Sequence, residues 1–251
     1  MPAKKGPAKE GTVKKGPAKE GTVKKVPARK PRTSKSKKQT HIALVIDRSG
    51  SMSSVRAETF AGINLQLATI KENVAKTGET FVTYIQFDDV IETVLSRVNA
   101  KDIVPIREDQ YQPRGWTAFN DALGKAVTDL KRDVIETTDT AYLVIVVTDG
   151  FENASKEYTS ATITELVKTL TNTGRWEFVY VMANLSVQQQ ADFRRNYSVR
   201  TNSMLTYVPD SGGVISSNEI LSTSLNTYST SRSTGNMTSD KFFDPTTKTT
   251  P

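Results

Sequence analysis

The amino-acid sequence predicts an α/β fold: a doubly wound, mostly parallel sheet of six strands, with one antiparallel edge strand and helices on both faces. The first observation is that apolar segments of strand length alternate with segments of helical periodicity. The second is that residues 41–47 and 141–150 are almost continuously apolar, which is typical of parallel strands covered on both faces. The third is the Asp88-Asp89 junction between two strands, which indicates a hairpin and therefore an antiparallel neighbour.

The individual elements follow from their local patterns. HIALVID (41–47) is an apolar run that ends in a carboxylate, and the segment after it has apolar residues at steps of three and four, as an amphipathic helix does. Gly174 ends a later helix. The predicted strands are 41–47, 81–89, 90–96, 141–150, 176–183 and 203–208. The predicted helices are 53–76, 118–135, 159–172, 187–196 and 216–231.

The N-terminal segment contains a repeat. Residues 4–13 read KKGPAKEGTV, residues 14–23 repeat this decapeptide unchanged, and residues 24–33 are a diverged copy. Lys, Pro, Ala and Gly without an aromatic residue cannot bury enough apolar area to offset the entropy lost on ordering. Three segments are therefore predicted: a disordered tail over 1–38, one domain over 39–231, and a flexible Ser/Thr-rich tail over 232–251.

The net charge of +7 is unevenly distributed. Residues 1–38 contain 14 Lys/Arg and two Glu, a balance of +12, which leaves 20 Lys/Arg against 25 Asp/Glu, or −5, in the rest. The tail is therefore a candidate arm for nucleic acid or an acidic protein, which it would contact through phosphates or carboxylates rather than base edges. The alternative is a solubilising spacer. The candidate polyanion-binding residues are Lys4, Lys5, Lys14, Lys15, Lys24 and Lys25.

Composition argues against several classes of function. The 251 residues include no cysteine, which excludes disulfides and thiolate sites, and His41 is the only histidine. No apolar run reaches the roughly 20 residues of a membrane helix, and no apolar stretch follows the Lys-rich N-terminus, so we expect a cytoplasmic protein without membrane contact. No Gly-rich phosphate loop is present, and Ser49 stands where a phosphatase needs a second Asp, so we expect no enzymatic activity.

Three separate segments place oxygen ligands at predicted element ends. They read DRSGSM (47–52), RGWTAFND (114–121) and TDGFEN (148–153). Because parallel strands end at one edge of the sheet, we expect these segments to meet there. Two carboxylates and three hydroxyls suit a hard divalent cation such as Mg²⁺, which tolerates few direct protein ligands and keeps its waters. The alternative is that the acidic residues cap helices and the serines form a turn.

The three motifs together resemble the metal-ion-dependent adhesion site of von Willebrand factor type A domains. DRSGSM, GWTAFNDAL and VVTDGFEN follow that family's pattern of Asp-x-Ser-x-Ser, then Thr, then Asp, and the resemblance covers about 41–231. The later segments VYVMANLSVQQQADF and MLTYV resemble the bacterial or phage intracellular branch. The resemblance implies that Ser49, Ser51 and Thr117 bind the metal directly, and that Asp47 and Asp149 act mainly through bound waters. It implies Mg²⁺, with Mn²⁺ or Ca²⁺ as alternatives.

The resemblance also implies a protein partner whose Asp or Glu completes the metal coordination. A weaker alternative from the same family is a recruiting partner of a ring-shaped ATPase. Arg48, Trp116 and Phe151 flank the motifs and are the candidate partner contacts. Trp116 could equally anchor its loop in the core, and Arg48 could be a solvated surface arginine. Asp121 could hydrogen-bond the loop or sit early in its helix, where the helix dipole favours an acidic residue, and we favour the second interpretation.

Overall fold

A computed structural model of the chain describes residues 2, 6, 37–183, 185–239 and 241–243. The predicted tail over 1–38, apart from residues 2, 6, 37 and 38, lies outside the described residues. So do the six lysines assigned to polyanion binding, which are Lys4, Lys5, Lys14, Lys15, Lys24 and Lys25.

The sheet confirms the predicted fold class. Its six strands are β1 (Gln39–Asp47), β2 (Glu79–Phe87), β3 (Ile91–Asn99), β4 (Thr140–Thr148), β5 (Trp176–Ala183) and β6 (Met204–Tyr207). They lie in the order β3-β2-β1-β4-β5-β6, and every neighbouring pair is parallel except β2–β3, the hairpin at one edge. Because the order reverses between β1 and β4, the carboxyl ends of these two strands flank a switch point, where sheets of this kind bind their ligands.

Helices cover both faces of the sheet. They are α1 (Arg56–Glu72), α2 (Val74–Thr77), α3 (Phe119–Lys131), α4 (Ser160–Thr171), α5 (Val187–Asn196) and α6 (Ser211–Ser233). Alternate residues of β1 divide between two apolar cores: Leu44 packs with α1 and α6, and Val45 packs with α3 and α4. Within the described ranges, no helix has both the length and the apolar character to span a bilayer.

The helix predicted over 53–76 is interrupted in two places. A 3₁₀ turn over Gly50–Val55 precedes α1, and Asn73, with φ −90° and ψ 3°, separates α1 from α2. The side-chain amide of Asn73 donates to the Thr69 carbonyl at 2.8 Å and to Asn226 of α6 at 2.7 Å. The Asn73 side chain competes with backbone N–H groups for a helical carbonyl, which favours a break in the helix at this position. The same side chain joins this position to α6. The apolar periodicity of the sequence continues across Asn73 and therefore does not predict the break.

Of the tail predicted to be flexible over 232–251, residues 240 and 244–251 lie outside the described residues, and the described part differs from the prediction. The last helix, expected over 216–231, begins at Ser211 because the side chain of Asp210 caps it, accepting from Gly213 N at 2.7 Å. Beyond it, Phe242 and Phe243 are buried in the core shared with α1 and α6. The Ser/Thr-rich composition predicts a solvated segment, but the two adjacent aromatic residues Phe242 and Phe243 pack into the core of the domain.

Arg232 fixes the end of α6 to the amino edge of the sheet. It is fully buried, and its guanidinium donates to Asp139 Oδ1 at 2.6 Å and to the carbonyls of Asp139 at 2.9 Å and Gln39 at 3.0 Å. Lys38 Nζ donates to the Arg232 carbonyl at 2.7 Å. One buried cation therefore joins the start of β1, the segment before β4 and the last turn of α6.

An aromatic ladder crosses the same end of the sheet. The His41 ring in β1 lies between Phe81 of β2 and Tyr142 of β4, with ring centroids 5.3 Å away on each side, and Tyr142 stacks on Trp176 at 4.1 Å. Burial, with a smaller contribution from the charge of Arg97, lowers the pKa of His41 from 6.5 to about 4. His41 is therefore neutral in the folded protein at neutral pH.

We predict that His41 makes the domain sensitive to acid. Its folded-state pKa lies below the unfolded value, so its stabilisation is complete above pH 6.5 and is lost as the pH falls towards about 4. Relative to His41→Phe, which keeps a stacked ring, the wild-type free energy of unfolding should fall by up to about 3 kcal/mol across that window. Urea unfolding at several pH values measures this. Parallel pH profiles for the two proteins would contradict it.

Candidate metal centre

The five predicted ligands lie at the carboxyl edge of the sheet, at the switch point. Asp47 is the last residue of β1, and Ser49 and Ser51 follow it directly. Thr117 lies two residues before the start of α3, and Asp149 is the first residue after β4. The parallel pairing of β1 with β4 brings the first and last of these segments to the same place.

Contacts among these side chains form a continuous set. The Ser49 and Ser51 hydroxyl oxygens are 3.0 Å apart, and Ser51 Oγ donates to Asp149 Oδ1 at 2.7 Å. The backbone N–H of Ser49 donates to Asp47 Oδ1 at 2.6 Å. A Cβ built on Gly150 would lie 3.2 Å from Thr117 Oγ1 and 3.9 Å from Asp47 Oδ2, so Thr117 faces the same space. The structure therefore brings all five side chains together.

The charge of Asp47 is poorly compensated by its surroundings. Its side chain is fully buried and accepts a 2.5 Å hydrogen bond from Thr148 Oγ1. Burial raises the pKa of Asp47 to about 6 in spite of the hydrogen bonds from Thr148 and Ser49, and the charge of Asp149 raises it further. Burial also raises the pKa of Asp149. A cation between the two carboxylates would offset this cost.

The donor set fits a small divalent cation. Within the described ranges no three His, Cys, Asp or Glu side chains cluster as metal ligands, so any cation here depends on hydroxyl oxygens as well. Mg²⁺–oxygen distances of 2.0–2.1 Å place adjacent octahedral ligands about 3 Å apart, and the Ser49–Ser51 separation of 3.0 Å matches this. The Thr117 hydroxyl makes no hydrogen bond to another described residue, which leaves its lone pairs available.

Backbone hydrogen bonds join the first and second loops. Gly50 N donates to the Gly115 carbonyl at 3.1 Å, and Arg114 N donates to the Arg48 carbonyl at 2.7 Å. Gly115 has φ +66°, a conformation that residues with a Cβ rarely adopt, so the turn requires glycine. The relative positions of the serines and Thr117 are thus set by the backbone.

The prediction that Arg48 contacts a partner protein is wrong. Only 4% of Arg48 is exposed. Its Nε donates to the fully buried Asp88 at 2.9 Å and its Nη1 to Glu92 at 2.6 Å, and Arg114 Nε adds a second contact to Asp88 at 2.9 Å. Its guanidinium is committed to these carboxylates inside the domain, so it supports the first loop rather than meeting another protein.

The other two predicted partner contacts are exposed. Trp116 is 68% exposed and Phe151 is 48% exposed, and they stand on the second and third loops respectively. Core anchoring by Trp116, the alternative interpretation, is therefore wrong. Large aromatic side chains in solvent beside a polar site are typical of a binding surface.

Asp121 and Glu152 hold the third loop. Asp121 was expected to act on the helix dipole, but its carboxylate accepts from three backbone N–H groups, those of Lys156, Glu157 and Tyr158, at 2.7–3.0 Å. Glu152 accepts from Asn120 N at 2.8 Å and from Ser155 Oγ at 2.6 Å. For Asp121 the structure shows the alternative interpretation, a hydrogen bond to a loop. The positioning role of Glu152 was missed, and the acidic residues within two of the three motifs were the available signal.

Sequence analysis also missed Thr148, Asp88 and Tyr111. The Thr148 hydroxyl reaches Asp47 Oδ2, and the Tyr111 hydroxyl donates to the Asp47 carbonyl at 2.7 Å. Thr148 adjoins Asp149 and was visible in the motif, whereas Tyr111 stands 64 residues from its partner and no local pattern marks it.

Taken together, the geometry defines a doubly wound α/β domain with an oxygen-lined candidate metal centre at its switch point.

Comparisons with known proteins support the fold. No family model and no curated protein match the sequence. A solved von Willebrand factor type A structure from Catenulispora acidiphila aligns with a TM-score of 0.50 and 13% identity, over 78% of this chain and 43% of that one. Proximal thread matrix protein 1 from the mussel byssus gives 0.53 and 17%, over 73% and 45%. The pilus adhesin SpaC from Lactobacillus rhamnosus GG gives 0.55 and 16%, over 79% and 30%.

This chain therefore spans less than half the length of each of these three proteins. At such identities the similarity establishes the fold, which this chain shares with von Willebrand factor type A domains.

We predict that substitutions of Asp88 and Arg114 have unequal effects on the stability of the domain. Asp88→Ala removes a fully buried carboxylate and leaves the Arg48 guanidinium under-compensated, so it should lower the free energy of unfolding by about 3 kcal/mol. Arg114→Ala removes a cation that is mostly exposed and should cost less than about 1 kcal/mol. Urea denaturation measures both. Equal effects of the two substitutions would show that the buried pair does not support the loop.

Proposed function

We propose that this chain is a metal-dependent protein-interaction module, in which a divalent cation, Mg²⁺ in the first place, is completed by an Asp or Glu of a protein partner. One observation carries the proposal: at the switch point the Ser51 hydroxyl contacts both the Ser49 hydroxyl and the Asp149 carboxylate. The exposed aromatic side chains of Trp116 and Phe151 on the adjoining loops provide apolar contact area for a partner.

Each ligand has a distinct role in the proposal. Ser49, Ser51 and Thr117 provide neutral hydroxyl oxygens as direct ligands. Asp47 and Asp149 orient the serines and hold bound water. In the structure Asp47 accepts from the backbone N–H of Ser49, and Asp149 accepts from the Ser51 hydroxyl. When bound, the cation supplies an electrophilic coordination position to an anionic ligand. Neutral direct ligands leave most of its charge uncompensated, and this favours a partner carboxylate over a neutral group.

The fold comparison supports an interaction role in a limited way. One of the structures that share the fold carries the name of a pilus adhesin and another that of a matrix protein. We propose binding rather than catalysis and assign no catalytic residue. Phosphate release from a phosphomonoester, lost on Asp47→Asn substitution, would overturn this part of the proposal.

The metal centre is tested by a double substitution with a matched control. Asp47→Ala with Ser49→Ala removes two members of the set and should abolish Mg²⁺ binding in calorimetry and Mg²⁺-dependent capture of proteins from a lysate. Asp102→Ala with Ser53→Ala changes the same residue types at exposed positions outside the set of five and should leave both unchanged. Circular dichroism checks that each variant is folded.

EDTA gives the complementary arm of this test. Capture by the wild-type chain should disappear in excess EDTA and return when Mg²⁺ is restored. Capture that persists both in EDTA and in the double variant would reject the proposed bridge.

A second function is favoured by the charge distribution, with +12 in residues 1–38 and −5 in the remainder. We propose that the basic segment binds nucleic acid independently of the metal centre. A chain lacking residues 1–36 keeps Lys38, which contacts α6, and should lose DNA binding in a gel shift while keeping its fold. If about six phosphates are contacted, wild-type affinity should fall roughly 10³-fold between 50 and 200 mM salt. An unchanged gel shift after truncation would reject this function.

A further inference from the structure

A cavity of about 330 Å³ opens beside the metal centre, between the loop after β4 and helix α5. Its walls are mainly apolar and include Phe119, Met182, Phe193 and Tyr197. Gly150 lines the cavity and also lies against Thr117 Oγ1, 3.2 Å from the position of an added Cβ. The cavity and the metal centre therefore adjoin each other, with one glycine between them.

The walls of this cavity are held in place by the fold. Phe193 packs on Tyr197 with ring centroids 4.6 Å apart, and Phe119 packs edge-on against Tyr197 at 5.2 Å. The Tyr197 hydroxyl donates to Asn120 Oδ1 at 3.0 Å, and Asn120 N donates to Glu152 at 2.8 Å. This chain of contacts runs from α5 through α3 to the third loop, so the cavity is preformed.

Charge restricts what the cavity can accept. Among the described residues no Lys or Arg lines it, and its charged groups are the carboxylates of Glu152 and Asp192, the latter paired with Arg195 at 2.6 Å. These lining residues offer no cation to an anionic group, so a partner's carboxylate is directed to the metal centre rather than into the cavity. The apolar rings and Met182 favour an uncharged apolar group, and the volume is at the lower end of the range for ligand sites, enough for a large side chain.

We propose that this cavity is a second subsite of the interface: it receives a large apolar side chain of the partner that lies one or two residues from the carboxylate given to the metal. The inference rests on the proposed function. The two subsites share Gly150, and an extended chain advances about 3.3 Å per residue, so both groups must be close neighbours in the partner. The cavity thus determines specificity, because an isolated carboxylate uses only half of the site.

Short peptides test this with defined probes. The reference is the acetylated, amidated peptide Gly-Gly-Asp-Gly-Gly, and four further peptides replace one glycine at a time by Phe. In saturating Mg²⁺, calorimetry or an NMR titration should show at least one Phe peptide binding roughly ten-fold tighter than the reference, since burying a Phe side chain provides that much. The matching peptide with Asn in place of Asp should lose this binding, as should any peptide in EDTA.

Two variants on α5 locate the gain in affinity. Asn196 is exposed at the edge of the cavity, and Asn196→Trp should fill it and abolish the advantage of the Phe peptide while preserving binding of the reference. Ala191 is exposed on the same helix away from the cavity, and Ala191→Trp should preserve the advantage.

The outcomes separate the two proposals. Mg²⁺-dependent binding of all five peptides with equal affinity overturns the subsite and leaves the proposed function standing. An advantage that survives Asn196→Trp places the Phe side chain elsewhere and also overturns the subsite. Absence of Mg²⁺-dependent binding by every peptide overturns the proposed function and this inference with it.

Discussion

The parallel pairing of β1 with β4 places two strand ends side by side where the order of the sheet reverses. Their register runs from Gln39 opposite Thr140 to Ile46 opposite Val147, so Asp47 and Thr148 emerge together and hydrogen-bond at 2.5 Å. The chain leaves these strands towards helices on opposite faces, which opens a gap between the two loops. The serines, Thr117 and Asp149 line this gap, and the cavity next to it depends on the same two strand ends.

Two buried carboxylates at this edge have opposite electrostatic surroundings. Asp88 accepts from the guanidinium groups of both Arg48 and Arg114, so the protein supplies its own cations there. Asp47, at the end of the adjacent strand, accepts hydrogen bonds from Thr148 and Ser49 and pairs with no cation among the described residues, and burial raises its pKa to about 6. Arginine compensates the carboxylate at the end of β2, whereas serine and threonine surround the one at the end of β1. The second position is therefore the one that an external cation could compensate.

The fold and the meeting of the three loops at the candidate metal centre could be predicted from sequence because both depend on local order. Strand and helix periods repeat within short windows, and a polar motif after an apolar run marks a strand end. The burial of Arg48 could not be predicted in this way, because it depends on Asp88, 40 residues away. Arg232 is a stronger case, since its partner Asp139 is 93 residues distant. Pairs at such separations have no periodic signature, and a charged residue outside an apolar run is assigned to the surface by default.

The position of Arg232 has a mechanical consequence. Its guanidinium meets the start of β1 and the segment before β4 at once, while the other end of α6 is capped by Asp210. A shift of α6 along the sheet would break several contacts of a fully buried cation together, and removing the partners of such a charge is costly. Displacement of α6 relative to β1 and the segment before β4 is therefore opposed at the amino edge of the sheet, opposite to the edge that carries the three loops.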